Sequence, residues 1–274
     1  MTAQPPLRIY QLDAFTDHLF AGNPAAVVPL TSQNEWLPDA RMQAIAAENN
    51  LAETAFYIRT ATGYHIRWFT PTVEVDLCGH ATLATGYVIF FLEEQPTDSQ
   101  ITLDSRCGPL TVCREDDGWL VLDFPVDTLQ KAPVHPPALS SGLKGAKPLE
   151  IHKGKSDFMV VYATQDEVES LLPDFRELST IPARGIIVTA PGNDVDFVSR
   201  FFAPQSGVDE DPVTGSAHTT LIPYWAEKLS KNILTARQVS TRGGYLRCKL
   251  HDNQTRVDIA GKVQLFLKGE LINQ

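Results

Sequence analysis

The stretches IRWFTPTVEVDLCGHATLATGYVIFFLEE (residues 66–94) and VSRFFAPQSGVDEDPVTGSAHTTLIPYWAEKL (residues 198–229) run through the same series of events. Each begins as a strand, passes Phe-x-Pro (Phe69 to Pro71, Phe202 to Pro204) and enters an acidic turn. Each then reaches a glycine and a short polar residue before a hydrophobic helix. His80 follows Gly79 in the first stretch, Ser216 follows Gly215 in the second, and the second loop is three residues longer. Phe-x-Pro alone recurs by chance; the ordered series points to a duplicated unit.

Outward from these stretches the pattern stays mixed. RIYQLDAF and AAVVPL read as strands around the turn AGNP, and LPDARMQAIAAENN has helical periodicity. ETAFYIR, YHIRWFTP, ITLDS, LTVCRE and WLVLDFP complete a first half of strands around one helix, GHATLATGYVIFFLEE. DTLQKAPVHPPALSSGLKGAKP (residues 127–148) reads as a linker, rich in proline, glycine, serine and lysine. Beyond it come the strands DFMVVYAT, GIIVTAP and DFVSRFFAP and a short helix near QDEVESLLP. A helix after Gly215 and the closing strands LRCKLH, RVDIAG and VQLFLKG follow. The expected units are therefore 1–124 and 125–274, with the option that the last strand returns to the first unit. Pro223 falls inside the second helical pattern, where it should kink or interrupt it.

Composition narrows the function classes. The 274 residues carry 23 Lys and Arg against 33 Asp and Glu, a net charge of −10 with no basic run, so nucleic acid is not an expected partner. ATLATGYVIFFL is too short to span a bilayer, and MTAQPPLRIYQL has no charged-then-apolar leader, so neither a membrane span nor a signal peptide is expected. Cys78, Cys107, Cys113 and Cys248 show no CxxC spacing and read as reduced thiols of a cytoplasmic protein.

Two glycine turns opening onto helices offer two helix N-termini, whose free N–H groups bind carboxylates. If a pseudo-two-fold axis relates the halves, both ends meet in a cleft between them. Such a place suits removal and return of a proton beside an acid group, with N–H donors stabilising the enolate. Glu53, among Leu51, Ala52, Ala55 and Phe56, is either a solvent-facing turn acid or a carboxyl fit for acid/base work. His80 reads as a core histidine, a helix N-cap or a site residue; Asp211 as a turn acid or a site residue; Ser216 as an N-cap whatever else it does. Cys78 stands where a racemase thiol base might, or is a buried core cysteine. Asp209 and Glu210 are left to solvent, and the acidic run has no clean metal-ligand spacing, so no metal is expected.

DAFTDHLFAGNPAAVV, NLAETAF, RWFTPTVEVDLCGHATLA and DEDPVTGSAH together resemble the successive signatures of the phenazine-biosynthesis (PhzF-like) isomerase family, nearly end to end. The resemblance implies an α+β, diaminopimelate-epimerase-like fold of two pseudo-symmetric lobes, each a β-barrel wrapped around a central helix. It implies Glu53 as the acid/base that moves a proton on a small unsaturated carboxylic acid, with His80 and Asp211 as its catalytic companions. Gly79, Gly215 and Ser216 would bind the substrate; no metal or organic cofactor is implied, and a homodimer is the expected assembly. Gly-His-Ala-Thr (Gly79 to Thr82) replaces the Gly-His-Pro of the phenazine enzyme, and Pro212 follows Asp211 where small residues stand in the family pattern. The substrate therefore stays open. An epimerase using Cys78 or Glu53 and a non-catalytic small-acid binder are the competing readings; Pro212 and the absence of a thiol in DPVTGS weigh against the epimerase.

Overall fold

The chain divides into two units with the same grammar, Met1–Asp123 with Ala260–Gln274, and Phe124–Ile259. The computed structural model describes residues 6–272, so residues 1–5 of the stretch read for a leader lie outside the described residues.

In the first unit, strands Leu7–Ala14 and Asn23–Pro29 pair antiparallel. The turn between them needs Gly22: its φ is 66°, and a Cβ there would stand 2.2 Å from the Ala14 carbonyl oxygen. Asn23–Pro29 runs parallel to Glu53–Arg59, which requires a crossover; helix Asp39–Asn49 supplies it. Met42 and Ala46 of that helix pack on Leu7, Val28, Leu30 and Phe56. Glu53–Arg59 then pairs antiparallel with Tyr64–Phe69, which accepts the short strand Glu74–Val75 antiparallel and Gln100–Asp104 parallel. Leu110–Arg114 and Leu120–Pro125 continue the meander.

Every residue of Gly79–Gly86, in the helix Gly79–Tyr87, is buried. A helix buried all round needs walls on every side, and the sheet provides them. Gly86 allows the closest approach, because a Cβ there would lie 2.8 Å from Cγ1 of Val112. The helix then widens into a π-helical turn, Val88–Leu92, so it does not run regularly to Glu94 as its sequence suggested.

The second unit repeats this order. Glu150–Lys153 is antiparallel to Phe158–Val161, which is parallel to Ile186–Pro191. Ile186–Pro191 is antiparallel to Phe197–Ala203, which takes Val208–Asp211 antiparallel and Ile233–Gln238 parallel. Gly244–Leu250 pairs next, and the buried helix is Gly215–Leu229.

Side chains repeat as well. Arg67, two residues before Phe69, holds Glu74 through two hydrogen bonds of 2.7 and 2.8 Å. Arg200, two before Phe202, holds Glu210 through two of 2.8 and 3.0 Å. Each guanidinium lies over the phenylalanine of its own Phe-x-Pro, at 5.2 and 4.9 Å. Likewise Thr82 Oγ1 donates to the Cys78 carbonyl at 2.5 Å, and His218 Nδ1 lies 2.9 Å from the Thr214 carbonyl, each three residues past the glycine. Strand order, ion pair and helix-start bond coincide, which is the mark of duplication. Glu210 is thus not left to solvent as expected: most of its side chain is buried against Arg200.

One local expectation resolves and three change. Of the two options for the second unit's end, the structure takes the one in which the last strand returns: Val263–Leu271 pairs with Leu7–Ala14 in a register from Leu7↔Leu271 to Ala14↔Val263. Residues 127–148 are more than a linker: they hold the short strand Gln130–Lys131 and helix Pro137–Gly142, and Leu139 and Leu143 enter the core beside Leu178. Ile233–Gln238 is a strand that the sequence reading omitted. Pro223 does not interrupt its helix: the Thr219 carbonyl, deprived of an N–H from residue 223, accepts the N–H of Asp127 at 3.2 Å.

Candidate functional site

Two parallel strands and one helix start together in the first unit. Asn23 opens the strand Asn23–Pro29, Glu53 opens its parallel neighbour, and Ala25 pairs with Glu53. His80 is the second residue of the buried helix, which begins after the extended Cys78. His80 is therefore not the N-cap; Cys78 holds that position, and no side chain caps the helix there.

His80 Nε2 stands 3.1 Å from Glu53 Oε2, in ion-pair range. Both atoms are sealed from solvent, and neither makes a hydrogen bond of regular geometry among the described residues. On the other side of the ring, Nδ1 lies 3.2 Å from Asn23 Nδ2 and 3.5 Å from Cys78 Sγ. With the Asn23 amide donating to Nδ1, the ring proton lies on Nε2, toward Glu53; a doubly protonated ring takes the amide oxygen there instead.

Electrostatics follow from burial and proximity. Burial raises the Glu53 carboxyl, but the adjacent His80 and the Cys78 thiol outweigh it, and the group sits below its ordinary range. Burial opposes a charge on His80, yet its Cys78 and Glu53 neighbours carry its pKa well above the ordinary value. Burial and the nearby Glu53 push the Cys78 thiol up to about 11, so at neutral pH it is not a thiolate, and Glu53 is the charge His80 answers. Glu53, Cys78 and His80 place a carboxylate oxygen, a sulfur and an imidazole nitrogen within 4.8 Å of one another, a donor set able to hold one small cation.

In the second unit the loop before helix Gly215–Leu229 is tied to the end of Ile233–Gln238. Gln238 is fully buried; its Oε1 accepts from the Thr214 N–H at 2.9 Å and its Nε2 donates to the Asp211 carbonyl at 2.6 Å. Thr214 Oγ1 donates to the Asp211 carboxylate, and Ser240 Oγ donates to the Pro212 carbonyl at 2.7 Å. Thr214 is the N-cap residue, so Ser216 lies inside the first turn and does not cap as expected. Gly79 and Gly215 have no positive φ; their conformations alone do not demand glycine. Arg184 Nη1 donates to Ser216 Oγ at 2.8 Å.

The structure thus brings together Glu53, His80 and Cys78 in one unit, and Asp211, Gly215 and Ser216 in the other. Sequence reasoning missed Asn23, Arg184 and Gln238. Asn23 was visible in AGNP but was read only as a turn residue. Two open cavities in the second unit, of about 740 and 710 Å³, are lined from 131–152 and from 126–131, 223–232 and 254, and include none of these residues. Among the described residues no helix is long and apolar enough to cross a membrane.

Comparison with known proteins agrees with this architecture. The family model described as PhzC-PhzF, phenazine biosynthesis-like protein, matches residues 12–269. An uncharacterized isomerase of Pseudomonas aeruginosa is 47% identical over 270 residues, covering 97% of this chain and 98% of that protein. A crystal structure of a PhzF-family phenazine biosynthesis protein from Enterococcus faecalis superposes with a TM-score of 0.92 at 43% identity, covering 98% of this chain and all of that one. A probable proline racemase of Agrobacterium radiobacter, at 10% identity and a TM-score of 0.60 over 98% of this chain and 93% of its own, shares the fold alone. The fold is the α+β, diaminopimelate-epimerase-like one, with each unit a barrel of strands around its buried helix.

Proposed function

Because the chain belongs to the phenazine biosynthesis-like family, in which the Pseudomonas aeruginosa relative carries the name isomerase, we propose that it is a cofactor-independent isomerase in which Glu53 moves a proton on a small unsaturated carboxylic acid. The observation that carries this is the sealed pair of Glu53 Oε2 and His80 Nε2, 3.1 Å apart. A carboxylate so placed takes a proton from carbon, and the electron pair left behind spreads into the conjugated double bond and the acid group. The protonated Glu53 exchanges with solvent and then delivers a proton to another carbon, so atoms and charge balance without an oxidant. His80 stabilises the ionised carboxylate before the first step and after the second, and Asn23 holds the ring. Asp211, Gly215 and Ser216 enter the proposal as the groups that hold the substrate, in a cytoplasmic homodimer.

The test follows β,γ-unsaturated carboxylic acids in deuterated water by proton NMR. Glu53→Gln is expected to lower deuterium incorporation by about 10²- to 10⁴-fold while ligand binding persists; unchanged incorporation would refute the role. Activity should fall in acid as Glu53 is protonated and in alkali as His80 loses its proton, since the first is held low and the second high. A binder would hold such acids with no exchange and no dependence on Glu53. A metal reading rests on the three-donor cluster; exchange surviving EDTA would exclude it.

A further inference from the structure

Duplication sets up a comparison that motifs alone do not. In the first unit a side chain from the start of a central strand, Glu53, reaches the second residue of the buried helix, His80. Thr54 pairs with Phe69, and Ile186 pairs with Phe202, so the place of Glu53 falls on Gly185 in the second unit. Gly185 leaves that place to the ring of Phe201, since a Cβ there would stand 2.2 Å from Cζ. The neighbouring Arg184 reaches the second residue of the second helix instead, donating from Nη1 to Ser216 Oγ at 2.8 Å. Asp157, 3% exposed, grips the other edge of the fork, with Nε donating to Oδ1 at 2.9 Å and Nη2 to Oδ2.

The chemistry of the two ends differs in sign. A guanidinium has only donors, so Ser216 Oγ serves it as an acceptor, and the hydroxyl hydrogen is left to be donated elsewhere. A fork anchored on its far edge by a carboxylate does not swing. Asp157 balances the charge of the guanidinium and Asp211 and Asp127 also face it, so what Ser216 offers is a fixed O–H polarised by the N–H it accepts, which suits a carboxylate better than a neutral group of the same shape. Building on the proposed function, we propose that Arg184 is a positioning residue that makes Ser216 a hydroxyl donor to the substrate's carboxylate, the second unit's charge-inverted counterpart of the Glu53–His80 couple.

Benzoate is the probe and benzamide its uncharged match, both titrated by calorimetry. The wild type is expected to prefer benzoate by about 10-fold or more. Arg184→Gln and Ser216→Ala should each erase most of that preference, and the double variant should lose no more than either single, because the two act through one hydroxyl. Arg184→Lys should restore part of it, a lysine lacking the fork that Asp157 holds. No preference in the wild type, a preference kept in Arg184→Gln, or losses that multiply in the double variant would each overturn the proposal. Ser216→Ala keeps the Arg184–Asp157 pair and so tests the hydroxyl should Arg184→Gln fold poorly. Failure of the proton-transfer reading shows only in the deuterium exchange, which the benzoate preference does not measure.

Discussion

His218 should make the protein sensitive to mild acid, and the size of the effect follows from its surroundings. The ring is fully buried in helix Gly215–Leu229, near the Phe197 ring at 5.9 Å, with Nδ1 on the Thr214 carbonyl and no partner for Nε2 among the described residues. Burial lowers its pKa from 6.5 to about 4. As pH falls below 6.5 the unfolded chain takes up this proton while the native state refuses it, so native stability drops until about pH 4, below which both states hold the proton. A gap of that width, at about 1.4 kcal/mol per unit, amounts to about 3 kcal/mol. His218→Asn keeps a donor for the Thr214 carbonyl and removes the titration. Urea unfolding of both proteins at pH 7.5 and pH 4 measures the effect: the wild type should lose about 3 kcal/mol more than the variant between them. The variant's lower packing shifts both of its values and cancels in the difference. Parallel losses in the two proteins, or a ring titrating near 6.5 by NMR, would refute the reasoning.

Cys78, with its thiol near 11, should react sluggishly with iodoacetamide at pH 7.5, and Cys78→Ser should keep deuterium incorporation within about 10-fold of wild type. A loss as large as that of Glu53→Gln would instead make Cys78 a second base. Pro223→Ala should change unfolding stability by under about 1 kcal/mol, well short of the roughly 3 kcal/mol that an interior helix proline costs, because Asp127 already satisfies the freed carbonyl. A gain of the larger size, read from denaturant midpoints, would show that the Asp127 bond compensates for nothing.

Much of this was legible because the duplicated device is local. Phe-x-Pro, the glycine and the polar residue after it are read within one window, and they locate both buried helices and His80; Glu53 lies outside that window and came from its apolar neighbours and the family resemblance. The errors have physical sources. Glu210 looked solvated because its partner Arg200 lies across a strand pair, at a separation that only register reveals. Arg184 belongs to no motif; the sheet carries it to Ser216. Ile233–Gln238 was hidden because the exposed Ile233 and the buried Gln238 break the alternation that Leu234 to Arg237 keep. His80 and Ser216 were weighed as caps because the extended N-cap residues, Cys78 and Thr214, stand two positions earlier than the polar side chains suggest.

The return of Val263–Leu271 to Leu7–Ala14 also sets an order of assembly during synthesis. Residues Phe124–Ile259 emerge from the ribosome with all their own strands, so the unit encoded second is finished first. Until then Leu7–Ala14 has Asn23–Pro29 on one side and waits for its other neighbour, an open edge of the kind that invites pairing with a second chain. The nine residues of Val263–Leu271 act as the latch that ends this exposure.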